Sequence, residues 1–387
     1  MRSFLPVFLL AFLTCGSLSA AEQTTRIATF NIAMGLEQAG DMETALESGL
    51  DRRLQQLAEV LQTVRPAIVL LNEFDYDPAT DAAGLLNENY LALDRAAAGP
   101  IDYPYHFSAP VNTGVDSGLD LDGDGKTGGP GDNWGFGRFP GQYGMLVLSR
   151  YPLMEDRSRT FQNFLWSDMP EARRPVNPDG SAFHPDLVWE QLLLSSKSHW
   201  DLVFDLDGKE LHLLAHHPTP PVFDGPEDRN GARNFDEIRF WRDYTFPRSL
   251  EYMTDDRGAA ARIAPGARFV IAGDFNADPH DGDSVDGAIG QLLNASWIDA
   301  GCMPLSKGGA EASVKQGGVN LTHKGDPAAD TSDFDDRNAG NLRLDYLLPS
   351  TGLEVTGCGV HWPAYGQAGN SSIGFSDHRL VWLDIRL

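Results

Sequence analysis

Eight polar residues of this chain sit where apolar stretches end. Asn31 lies near the end of the alternating stretch 26–32 (RIATFNI), and Glu73 comes just after the apolar run 67–71 (AIVLL). His217 follows residues 210–216 (ELHLLAH), and Asp274 and Asn276 follow residues 268–272 (RFVIA). Asp345 lies inside residues 343–348 (RLDYLL), and Asp377 and His378 lead into residues 379–386. Two imidazoles, four carboxylates and two amides exceed what a hydrophobic core needs. Carboxylate and amide oxygens favour a hard ion such as Mg2+ (or Mn2+) over zinc. Such an ion polarises a phosphoryl oxygen and activates water.

For these residues to act together, the strands must bring their ends to one rim. Period-two alternation marks 26–32 as a strand, and 67–71, 145–149, 210–216, 268–272, 343–348 and 379–386 read likewise. Between the first two, Leu50, Leu54, Leu57, Leu61 and Val64 recur at helical spacing until Pro66 stops the helix. In a layered α/β fold, the ends of neighbouring strands converge, so residues far apart in sequence meet. Stretches rich in Gly, Pro and Asp at 108–142, 166–187 and 218–235 read as long loops, with a helix starting near Phe235. No repeat or linker interrupts the pattern, which predicts one α/β domain over 22–387.

Composition narrows the function classes. The chain of 387 residues has 30 Lys+Arg against 55 Asp+Glu, a net charge of −25. That balance opposes a broad polyanion-gripping face, but leaves open a phosphate reached through a cation. Residues 1–21 carry Arg2, the apolar run 4–13 and the small residues Ser19, Ala20 and Ala21. This is the layout of a signal peptide, so the mature chain is expected to be secreted or periplasmic, with no stable membrane insertion. Cys302 and Cys358 then remain, either as one disulfide or as two buried thiols.

The ordered set ATFNI, LLNEFD, LLAHHP, IAGDFNADP, RLDYLLP and FSDH resembles the endonuclease/exonuclease/phosphatase superfamily. The resemblance spans roughly residues 26–387 and implies a four-layer α/β sandwich with two central mixed sheets. It implies an enzyme that hydrolyses phosphate esters with a divalent metal. Carried over residue by residue, it makes Glu73 the main metal ligand, assisted by Asn31 and Asp377. Asp274 would orient or deprotonate the attacking water, and Asn276 would hold phosphate or nucleophile. His378 would bind a non-bridging oxygen with Asp345 fixing its tautomer, and His217 would be a second acid or phosphate ligand. Tyr143 matches a region where relatives place a phosphate-contacting group. Asn72 stands where the family more often has Gln, and of the adjacent His216 and His217 the latter is favoured.

Three further expectations lie outside the rim. Asp120, Asp122 and Asp124, with Gly125, read as positions 1, 3, 5 and 6 of a calcium-type loop. Gly131 stands where position twelve usually has Glu, and Asp132 is the nearest substitute. Arg138, Arg229 and Arg233 are candidate phosphate donors in an acidic chain. The substrate expected first is a phosphodiester, with nucleic acid as the leading case and a phosphomonoester or lipid diester next. No protein partner is implied. A catalytically silent binding module on the same scaffold is the reading of another class.

Overall fold

The computed structural model describes residues 24–248 and 251–387, so the leader at 1–21 lies outside it. Eleven strands form two mixed sheets among the described residues. They are β1 (Thr25–Met34), β2 (Ile68–Phe74), β3 (Tyr105–Phe107), β4 (Met145–Ser149), β5 (Arg159–Thr160) and β6 (His199–Leu206). The rest are β7 (Lys209–His216), β8 (Phe269–Asp274), β9 (Asp345–Pro349), β10 (Glu354–Val360) and β11 (Val381–Arg386). One sheet runs β10-β11-β1-β2-β4-β3 and the other β5-β6-β7-β8-β9. Each contains one parallel pair, β1 with β2 and β7 with β8.

Alternation explains the layering. Leu211, Leu213 and Ala215 of β7, with Val270 and Ala272 of β8, pack between the sheets against Ile27, Leu70 and Val147. Their neighbours Leu214, Phe269 and Ile271 point the other way and pack under the helix Arg229–Thr245. The helix Arg52–Val64 covers the outer face of the first sheet through Leu54, Leu57 and Leu61. Helix, sheet, sheet and helix thus stack in four layers.

Several element boundaries differ from expectation for local reasons. Asp51 caps the helix by accepting from the N–H groups of Arg53 and Leu54, so Leu50 falls outside it and is exposed. The later helix begins at Arg229, earlier than Phe235. Strand β6 was not expected: buried Asp201 breaks its apolar pattern, yet that carboxylate accepts from Tyr244 at 2.6 Å and lies 2.7 Å from His212 Nδ1. Cys302 and Cys358 are bonded, with Cα atoms 6.2 Å apart. No described helix is long and apolar enough to cross a membrane.

Candidate active site

The site is built where both sheets end together. Asp274 is the last residue of β8 and Asp345 the first of β9, and the strand register sets them side by side. Gly273, just before Asp274, lies so close to β7 that a Cβ would stand 2.1 Å from the His216 carbonyl oxygen. Only glycine fits that approach. On the other sheet, the β1–β2 register slips beyond Asn31 and Asn72. There Glu73 adopts φ 56°, and Tyr143 and Asn276 share this left-handed geometry at 57° and 51°. Such conformations cost Glu and Tyr on the order of 1–2 kcal/mol each and gather at functional sites.

Buried amides join the two sheets. Asn31 Nδ2 donates to Glu73 Oε1 at 3.1 Å and to Asp274 Oδ2 at 3.0 Å, while its Oδ1 accepts from Ala33 N at 3.0 Å. These three partners fix which end of the amide is oxygen. Asn31 therefore aims two carboxylates at the rim. Asn72 donates to the His216 carbonyl at 3.2 Å and accepts from Asp274 N at 3.3 Å.

Asp274 is the focus of the rim. Its Oδ2 lies 3.4 Å from His217 Nε2 and 3.6 Å from His378 Nε2, besides the Asn31 bond. Its Oδ1 accepts from Asn276 N at 2.9 Å, and Asn276 Nδ2 donates to the Pro218 carbonyl at 3.2 Å. Burial works to raise this carboxyl, but His378, His217 and Asn31 outweigh it and hold the group well below the usual range.

His378 is gripped on both nitrogens. Its Nδ1 lies 2.8 Å from Asp345 Oδ2, which also accepts from Thr331 Oγ1 at 2.7 Å. Burial opposes its charge, yet Asp345 and Asp274 lift its pKa to about 10. His378 is therefore an imidazolium at neutral pH, with Nδ1 donating to Asp345. His217 has the opposite fate. Burial first, and the ammonium of Lys197 next, lower its pKa below the ordinary value despite Asp274. His217 Nε2 faces Asp274 Oδ2 and helps to hold that carboxylate in place. His216 points away, packing on Phe275 with ring centroids 4.3 Å apart.

The donor chemistry suits a hard cation at Glu73. Its Oε1 is held by Asn31 and its Oε2 makes no hydrogen bond among the described residues. Asp377 is exposed beside His378. Asp274, Asp345 and His378 also lie within ligand range of one another.

The remaining expected residues fall into two kinds. Tyr143 is half-buried, with its ring against Gly35 and its N–H donating to Asp75 at 2.8 Å. Arg138 is exposed and paired with Glu37, and Arg229 is paired with Glu227. Arg233 is engaged by backbone through Nε and Nη2. Its guanidinium donates to the carbonyls of Leu194, Trp134 and Leu193 at 2.8, 2.6 and 3.0 Å, so those donors hold the loops together. Asp120, Asp122 and Asp124 do cluster, with ligand oxygens within 4.8 Å of one another. Asp132 does not join them, because it accepts from Leu121 N and Gly129 N at 2.9 and 3.2 Å.

Sequence reasoning passed over Thr331, Asp75 and Lys197, and gave Asn72 no role of its own. Asn72 alone carried a signal, as an amide inside an apolar strand. Asp75 accepts from Leu36 N at 2.8 Å as well as from Tyr143 N, and burial, with Glu73 nearby, still raises it to about 7.

A model of the Endonuclease/Exonuclease/phosphatase family matches residues 28–378. No curated protein matches in sequence. Among solved structures, an endonuclease/exonuclease/phosphatase from Beutenbergia cavernae DSM 12333 is 18% identical over 94% of this chain and 72% of that one, with TM-score 0.50. An endonuclease/exonuclease/phosphatase family protein from Leptotrichia buccalis C-1013-b is 14% identical over 94% and 100%, with TM-score 0.48. The human Nocturnin catalytic domain is 14% identical over 94% and 96%, with TM-score 0.45. The chain belongs to the endonuclease/exonuclease/phosphatase family, and is a divalent-metal-dependent hydrolase of phosphate esters.

Proposed function

We propose that this member of the family is an exported phosphodiesterase, with nucleic acid as the leading substrate. The observation that carries the mechanism is the position of Asp274, buried among Asn31, His217 and His378. Glu73 would hold the divalent ion with Asp377 beside it, and the bound ion would supply positive charge for phosphoryl oxygens and a more acidic water. General bases work best with a pKa near the operating pH, and Asp274 sits far below that. Its work is to orient the nucleophile and keep His378 charged. The His378 imidazolium donates to the non-bridging oxygen on which charge grows, and Asp345 keeps the ring in place as it does so. Asn276, whose Nδ2 donates to the Pro218 carbonyl, would hold phosphate or nucleophile through the rest of its amide.

Two features support export. The leader at 1–21 has the composition of a signal peptide, and the Cys302–Cys358 bond suits an oxidising compartment. The exposed Arg138–Glu37 pair can reopen toward an anionic substrate. The loop 120–125 would bind Ca2+ through Asp120, Asp122 and Asp124. Calorimetry on metal-stripped protein should then show Ca2+ binding that Asp122→Ala abolishes.

The deciding experiment gives one mature preparation plasmid DNA, a phosphodiester reporter and a phosphomonoester reporter. Each is assayed with Mg2+, Mn2+, Ca2+ or chelator, with Asp274→Asn alongside. Metal-dependent cleavage of DNA and diester that the variant loses is the expected result. Cleavage of the monoester alone refutes the diester reading, and binding without turnover under any ion would make the chain a binding module.

A further inference from the structure

Lys197 is a buried lysine that the catalytic assignment above does not use. Only 5% of its surface is exposed, and its ammonium makes no hydrogen bond or ion pair among the described residues. Lysine is almost never buried without a partner, because an unmet ammonium is costly to desolvate. The carboxylates whose charge reaches it are Glu237, Glu73 and Asp274. Glu237 and Asp274 are engaged by other groups, while among the described residues Glu73 keeps Oε2 free for a cation. Glu237 spends both oxygens on backbone, accepting from Ser196 N at 2.7 Å and Thr219 N at 2.6 Å. Asp274 is met by Asn31, Asn276 and the two histidines, and Glu73 is aimed by Asn31.

The backbone around Lys197 is held firmly. Its carbonyl accepts from Asn112 N at 3.0 Å, and a Cβ on Gly135 would stand 2.0 Å from the neighbouring Ser196 oxygen. Glu237 ties Ser196 to Thr219, two residues beyond His217, so the Lys197 backbone lies beside the rim and its ammonium feels the charge of Glu73 and Asp274. A fixed backbone with a free ammonium at its tip is the design of a ligand-binding group. The ligand must be an anion that brings oxygens into an acidic rim, as a phosphoester does.

We propose that Lys197 binds a non-bridging oxygen of the scissile phosphate, opposite the cation held by Glu73. This rests on the rim being the phosphoester site. The ammonium serves as a point charge with three donors. It also gives a strongly acidic protein one fixed positive charge where substrate must sit.

The test compares the mature full chain with Lys197→Met, which keeps length and removes charge, and Lys197→Arg, which keeps charge. Inorganic phosphate binding is measured by calorimetry with and without Mg2+, beside kcat and KM on the diester reporter and urea unfolding. Loss of one charged hydrogen bond should weaken phosphate binding of the Met variant by about 30-fold and cut kcat/KM by about 100-fold. The Arg variant should stay within about tenfold, and the Met variant should unfold no earlier than wild type, since an unmet buried charge is gone. Unchanged phosphate binding and turnover in the Met variant would overturn the role while leaving the hydrolase reading intact. Early unfolding of both variants, with equal loss of binding, would show a structural lysine and also overturn it. If wild type cleaved no diester yet lost phosphate binding through Lys197→Met, the diester reading would fall and this one would stand.

Discussion

Asp345→Asn should move the alkaline limb of the pH–rate profile by about two units, and the structure says why. Asp345 Oδ2 serves both His378 Nδ1 and Thr331 Oγ1, while its Oδ1 is buried without a partner. An amide with its oxygen in the Oδ2 position keeps both bonds, so shape and tautomer survive and only the charge goes. In the wild type, His378 has a pKa raised to about 10, with Asp345 the largest cause acting upward against burial. A charge-assisted bond of roughly 2–3 kcal/mol corresponds to about two pH units, so the variant imidazole should titrate near 8. The protonated form is the active donor, present below the folded pKa and lost above it. Through titration alone the variant should lose almost nothing in kcat/KM at pH 7 and about tenfold at pH 9. The same linkage acts on stability. His378 contributes fully below its unfolded pKa of about 6.5 and loses that contribution as pH rises toward 10. The assay is kcat/KM on the diester reporter from pH 6 to about 10.5, with unfolding midpoints at each pH. Coincident alkaline limbs in the two active proteins would refute the claim that Asp345 keeps His378 charged.

Other perturbations follow from the same geometry. Glu73→Asn should abolish turnover and metal binding yet raise stability by about 1 kcal/mol, because asparagine tolerates the φ of 56°; urea unfolding beside calorimetry checks both. Asn72→Leu strips the His216 carbonyl and the Asp274 N–H of a buried partner and should cost about 2–4 kcal/mol, read as a lower denaturant midpoint at unchanged m. Reducing Cys302–Cys358, which closes a separation of 56 residues, should cost about 4 kcal/mol in the same experiment.

Much of the scaffold was readable from local pattern. Strand 145–149 coincides with β4, because four consecutive apolar residues bounded by turns read as a buried strand. The helix Arg52–Val64 was visible in its leucine spacing, although Asp51 moved its start. Strand β6 stayed hidden because Asp201 looks like a break until His212 and Tyr244 satisfy it. Weak edge strands such as β10, with the sequence EVTGCGV, carry too little apolar signal to be seen alone.

At the site, the sequence by itself determined the cast and the family. Polar residues that end apolar strands violate the core pattern, and six such motifs in order are specific. Which atom each residue offers was decided only by tertiary structure. His216 and His217 are adjacent, and β7 alternation sends one to Phe275 and the other to Asp274. Asn31 became an orienting donor because Ala33, Glu73 and Asp274 surround its amide. Thr331 and Lys197 gained meaning from partners that no local window contains. Periodicity encodes which face a residue takes, since that depends on its immediate neighbours. Protonation, amide orientation and unmet donors depend on burial and on charges hundreds of residues away, and these exist only once the chain has folded.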